Sequence, residues 1–234
     1  MEKQKKTISQ EDIMKLLDTC YEKASKGIPY VSPSVEKLSN DYLKKFSSPQ
    51  ESAKAMIKNQ IIKCSTSGFI TGFGGIITLP ATITANIGSV LYMQMRMIAC
   101  TAYMAGLDLN SDQTQTFVYA CLTGVSVNEL LKQAGVKVGN KVALKMIKKI
   151  PGDVLTKINQ KAGFRLITKF GTTGVVNLGK LVPGVGAVVG GSLDLAETKI
   201  IGNRAYKWFF EENYSCSDGE NQYIIVDADT PVDT

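Results

Sequence analysis

CSTSGFITGFGGIITLPATITANIGSVLYMQM, from Cys64 to Met95, carries no formal charge and is threaded with glycine, and Arg96 ends it. A second glycine-rich stretch, GTTGVVNLGKLVPGVGAVVGGSLDL, runs from Gly171 to Leu195. Small uncharged residues at this density suit helices that pack backbone to backbone or meet a membrane. In both stretches glycine-spaced turns lead to a proline, Pro80 or Pro183, after which a long helix is expected. The pair predicts two glycine-rich helical hairpins packed against each other.

Outward from the hairpins, almost every segment has a helical period. Ile13, Leu16, Leu17, Cys20, Tyr21 and Ala24 form one face of a first helix, which Gly27 and Pro29 end. Ser32-Pro33 opens a second, with Val35, Leu38, Tyr42 and Phe46 on its apolar face. Ser48-Pro49-Gln50-Glu51 combines a capping box with a first-turn proline. The helix after it turns Ala53, Met56, Ile57, Gln60, Ile61 and Cys64 one way and Lys54, Lys58 and Lys63 another. The helix from Pro80 should reach Ala105 and stop at Gly106. Ser111 is expected to cap a helix from Asp112 to Ala134, ended by Gly135. A basic helix from Lys137 to Lys149 follows, stopped by Pro151-Gly152, then one from Asp153 to about Phe170. The last runs from Pro183 to about Glu212. Its aromatic end, Tyr206 to Phe210, could anchor at an interface or pack onto the first helices. The expected architecture is an all-α helical bundle over 10–213, after a flexible N-terminus at 1–9. A disordered acidic tail spans 214–234, because a strand at Tyr223–Val226 would have no partner.

Composition narrows the function classes. There is no histidine, which removes Ser–His–Asp and Cys–His catalysis and imidazole metal sites. The five cysteines form no CxxC pair, and three sit inside apolar runs, where they read as small core hydrophobes in a reducing compartment. A charged N-terminus without an apolar run points to the cytoplasm. The net charge of +6 is uneven: Asp218, Glu220, Asp227, Asp229 and Asp233 stand in the tail without a Lys or Arg, leaving +11 on residues 1–213. A basic body suits an anionic surface, or simply a well-solvated one.

Stable spanning of a bilayer is disfavoured. Thr66, Thr71, Thr78, Thr82, Thr84 and Asn86 dilute the first stretch, and Pro80 divides it. Lys180 and Asp194 interrupt the second, each costing roughly 2.5–3.5 kcal/mol at the centre of a membrane. Buried hairpins and reversible membrane contact both remain.

Two constellations of charge stand out. Arg96 lies among Tyr92, Met93, Met95 and Met97, and Asp194 lies in GGSLDLAET. Each charge must pair or reach water. They are expected to approach each other between the hairpins with Asn86 and Gln94 nearby, either as a register-fixing ion pair or with Arg96 anchoring an anionic ligand. The other constellation is the run Lys132, Lys137, Lys141, Lys145, Lys148, Lys149, Lys157, Lys161, Arg165 and Lys169. Lys137, Lys141, Lys145, Lys148 and Lys149 form the expected contact with an anionic membrane. An ordinary solvated face gives the same pattern, and nucleic acid is disfavoured by the lack of interleaved aromatics. GFGGI and VPGVGAVVGG lack the lysine and spacing of nucleotide loops, so no cofactor site is expected.

Between Tyr21 and Phe210 the chain resembles the EcsC protein family. The likeness rests on Gly68-Phe69-x3-Phe73-Gly74-Gly75, Leu79-Pro80, Asn86, Gln94-x-Arg96-x-Ile98 and Ala105-Gly106-Leu107-Asp108. Further on it rests on Lys157-Ile158-Asn159, Lys169-Phe170-Gly171, Val182-Pro183-Gly184-Val185-Gly186-Ala187 and Gly190-Gly191. The resemblance implies an accessory role near a bacterial membrane, beside an ABC transporter-like complex, and carries over no catalytic residues. The expected function is therefore a non-enzymatic protein, cytoplasmic and peripheral to the inner membrane or a membrane complex. The alternative is a soluble helical protein holding a lipid-like or anionic small ligand between the hairpins.

Overall fold

A computed structural model of the chain describes residues 8–65, 85–135, 147–170 and 186–211. The side chains of residues 65, 85, 86, 170 and 186–194 are outside that description. Both glycine-rich turns, the middle of the basic segment and the acidic tail therefore lie outside the described residues. The fold is all-α, with eight helices and no strand among the described residues.

Helix α1 spans Gln10–Lys26. Ser9 caps it reciprocally with Asp12: the Ser9 hydroxyl accepts from the Asp12 amide at 3.1 Å, and the Ser9 amide donates to the Asp12 carboxylate at 3.2 Å. The predicted apolar face, Ile13 to Ala24, is buried throughout. Gly27 ends the helix at φ +80°. A short turn then closes through hydrogen bonds between Ile28 and Ser32.

Helix α2 spans Val35–Leu43, and here the sequence reading needs correction. The cap is Ser34, whose hydroxyl accepts from the Lys37 amide at 3.1 Å. Ser32 instead turns inward, 2.6 Å from the Tyr92 hydroxyl. Phe46 leaves the apolar face as well, exposed and stacked on Tyr42. Helix α3 spans Pro49–Ser65 with Ser48 as cap, as its start signal predicts.

Helix α4, Ala85–Met104, is the axis of the molecule. Helices α1, α2, α3, α5 and α8 all pack against it. Leu91 to Ala102 are buried on every side, as expected of a helix hydrophobic all round. Gly106, at φ +87°, ends it: the Leu107 amide reaches back to Ala102 and the Gly106 amide to Tyr103.

The single helix expected from Asp112 to Ala134 is two. Helix α5 spans Asp112–Thr123 and α6 spans Val127–Gln133. Gly124 takes a left-handed conformation, φ +71°, and the Gly124 and Val125 amides both donate to Ala120. The apolar pattern runs on through the break, since Val125, Val127, Leu130 and Leu131 are all buried. Periodicity alone therefore hides the turn.

Helix α7, Gly152–Phe170, packs on α5, α1 and α6. Helix α8, Gly186–Phe210, crosses α3, α4 and α5. Its aromatic end faces inward: Trp208 is fully buried and meets Phe117 of α5 edge to face. Lys54 of α3 lies over the Tyr206 ring. Of the two readings of this cluster, packing holds, against α5 and α3 instead of the first helices.

Candidate functional site

The axial helix carries polar side chains into the core on two sides. Gln94 donates to the Thr198 hydroxyl of α8 at 3.1 Å, and both residues are buried. Two residues on, or about 200° around the helix, Arg96 points toward the connection before α2. There its Nη2 donates to the Pro33 carbonyl at 2.9 Å. Gln94 and Arg96 therefore serve different interfaces. Arg96 is 4% exposed, and its Nε has no hydrogen-bond partner. Among the described residues no carboxylate pairs with it. Asn86 and Asp194 belong to α4 and α8, but their side chains, and with them the expected approach to Arg96, lie outside the described residues.

The turn before Arg96 holds Tyr92 and the turn after it Cys100. Burial raises the pKa of the Tyr92 hydroxyl and pushes the Cys100 thiol up to about 11, against an opposite pull from the Arg96 charge. Burial also pushes Cys20 up to about 12. These thiols stay protonated and unreactive at neutral pH. With Cys121 they fill the core as the sequence reading expects, while Cys64 is half-buried.

The surface charge gathers on α7. Val154, Leu155, Ile158, Ala162 and Leu166 are buried and seat the helix. Met14 of α1 packs close over Gly163, where a Cβ would meet its sulfur at 3.3 Å. Along the border of that buried face Lys157, Lys161, Arg165 and Lys169 follow at four-residue intervals, all exposed. Like charges at this spacing cost an isolated helix ~0.2–0.5 kcal/mol per pair, so the row weakens the helix that carries it. Two of the four are engaged elsewhere: Arg165 bonds carbonyls at the end of α5, and Lys169 pairs with Glu197 of α8. Lys157 and Lys161 have no ion pair among the described residues. Phe164 stands among these cations, 62% exposed. An open groove of about 470 Å³ lies alongside, lined by Gln10, Leu130, Gln133, Lys157, Gln160, Lys161 and Phe164.

Of the cations expected to contact a membrane, Lys137, Lys141 and Lys145 lie outside the described residues. Lys148 and Lys149 are exposed in the turn leading to α7, between buried Ile147 and Ile150. The sequence reading missed Phe164. Its signal was there: an aromatic in the cationic quadrant of a helix whose apolar face is already complete without it.

Among the described residues no helix is long and apolar enough to cross a membrane. The model of the EcsC protein family matches residues 2–209. No curated protein and no solved structure matches the chain.

Proposed function

The chain belongs to the EcsC protein family, and we propose that it is a non-enzymatic bacterial accessory protein that lies on the anionic face of the inner membrane, or on a membrane complex there. The observation that carries this reading is the exposed Phe164 beside Lys157 and Lys161 on α7, lining one groove with them. A protein fold gains nothing by leaving a phenylalanine in water beside a row of repelling cations. An anionic bilayer relieves both: lipid phosphates offset the charge, and the ring enters the headgroup layer. Lys148 and Lys149 extend the same basic feature toward the start of the helix.

The magnitude fits a reversible contact. Each basic residue near an anionic surface is worth about 1 kcal/mol, so Lys148, Lys149, Lys157 and Lys161 together supply about 4 kcal/mol. That alone corresponds to a dissociation constant of about 1 mM. Phe164 and the glycine-rich stretches must supply the rest, and the attraction should fade as salt screens it.

Flotation of the whole protein with phosphatidylcholine vesicles, with and without phosphatidylserine, tests the proposal. Wild type should float only with the anionic vesicles at low salt. The Lys157→Glu/Lys161→Glu variant should stay at the bottom. Equal flotation of variant and wild type would sink the reading.

Arg96 supports a second reading. A buried guanidinium with one carbonyl partner and a bare Nε calls for an anion. A small anionic or lipid-like ligand held against α4 would supply it. Native mass spectrometry of purified protein should then show a bound mass that persists in high salt and is lost in Arg96→Met. A mass equal to the bare chain in every salt would rule this reading out.

A further inference from the structure

We propose that Arg165 and Arg204 form a clamp for a phosphomonoester group at the end of α5. The two arginines come from different helices, α7 and α8, and meet at one turn. Arg204 Nη1 donates to the Cys121 carbonyl at 2.8 Å. Arg165 Nη1 donates to the Thr123 carbonyl at 3.1 Å and also to that of Gly124. A Cβ built on Gly124 would lie 3.1 Å from Arg165 Nη1 and 3.1 Å from Arg204 Nη2. The two guanidiniums are therefore no more than about 6 Å apart. Glycine suits the turn through its φ of +71°, and a Cβ there would press on both guanidiniums.

Charge makes the pair more than a helix cap. The C-terminus of a helix offers about half a negative charge, against two full positive charges. Among the described residues no carboxylate pairs with either arginine. Arg204 has no nitrogen that is both buried and without a partner, so it can offer donors beyond its carbonyl bond. Arg165 is exposed and Arg204 half-exposed. Ser126, two residues past Gly124, caps no amide with its hydroxyl and adds one more donor to the same connection.

Oxygen count selects the ligand. Three acceptor oxygens let each of two guanidinium forks take its own oxygen edge, whereas two oxygens force both forks onto one edge. A carboxylate has two, and a phosphodiester has two that are not bridging. A phosphomonoester has three, with nearly two negative charges at neutral pH. The group could come from a lipid such as phosphatidic acid or from a free metabolite. The lipid source rests on the membrane reading above, since Arg165 sits on the α7 row. The clamp itself does not.

The test compares vesicles doped with phosphatidic acid and with phosphatidylserine to the same zeta potential, and adds calorimetry with free glycerol 3-phosphate. The clamp predicts about tenfold tighter binding to phosphatidic acid. Arg204→Lys, which keeps the charge and loses the fork, should bring that down to the phosphatidylserine level and leave phosphatidylserine binding unchanged. Equal binding to both lipids with no heat from glycerol 3-phosphate would overturn the clamp and leave the membrane reading standing. Heat from glycerol 3-phosphate without binding to either vesicle would uphold the clamp for a free phosphomonoester and overturn the membrane reading. Silence in every arm would overturn both. If Arg204→Lys proves unstable, the two-lipid comparison in wild type decides alone.

Discussion

Gly27 and Gly106 both end helices at positive φ, yet they should tolerate a methyl group very differently. At Gly27 a Cβ would meet the backbone of Ser32, Pro33 and Ser34 at 2.6–2.8 Å. The conformation itself, φ +80° and ψ 173°, is one that glycine almost alone adopts. At Gly106 nothing lies within 4 Å of the same position. Urea unfolding should therefore show Gly106→Ala losing about 1–2 kcal/mol, the left-handed penalty alone. Gly27→Ala should lose about 3 kcal/mol or more, since the α1–α2 connection must also move. Equal losses would mean that the connection yields freely. The residue scale is also where sequence reading reached least far. Ser32 looks like a cap because serine precedes proline. Only the approach of Tyr92, sixty residues away, decides that its hydroxyl points inward. The burial of Arg96 against Pro33 is equally invisible in a local pattern.

At the scale of elements, the legible features were those with local causes. The face of α1, the start of α3 at Pro49 and the stop of α4 at Gly106 follow from spacing, capping and glycine conformation. The break at Gly124 was missed because burial continues on both sides of it. What the turn accommodates, two arginines from distant helices, has no sequence signature. A second crossing is as tight. Gly202 of α8 would place a Cβ 2.7 Å from Ile57 Cγ2 of α3 and 3.3 Å from the Met97 sulfur of α4. Gly202→Ala gains about 1 kcal/mol of helix propensity but overpacks this junction at a cost of about 1–3 kcal/mol. Met97 is flexible and can yield, whereas the Ile57 Cγ2 methyl sits on a β-branched carbon with restricted rotamers. The expected outcome is net destabilisation that Ile57→Ala partly relieves, so that the double variant is more stable than the two single effects sum to. Strict additivity in chemical unfolding would show that α3 and α8 do not meet there as described.

For the whole molecule, the sequence pointed to an all-α fold and to the EcsC family, and both hold. The basic balance of the body was also plain. The reading placed the contact on Lys137 to Lys149, of which Lys137, Lys141 and Lys145 lie outside the described residues. Burial of Val154, Ile158, Ala162 and Leu166 is what turns Lys157, Lys161 and Phe164 outward on α7. That orientation gives the proposed membrane contact a specific side of the molecule. It can be read with an added fluorophore, because the native Trp208 is fully buried and reports the core. The most direct measurement is the emission of a Phe164→Trp protein titrated with anionic vesicles, with wild type as the Trp208 background. Lipid contact by this face predicts a blue shift, protection from aqueous quencher, and reversal of both in high salt. Emission that stays solvent-like while the protein floats with the vesicles would contradict the account, placing the contact elsewhere on the chain.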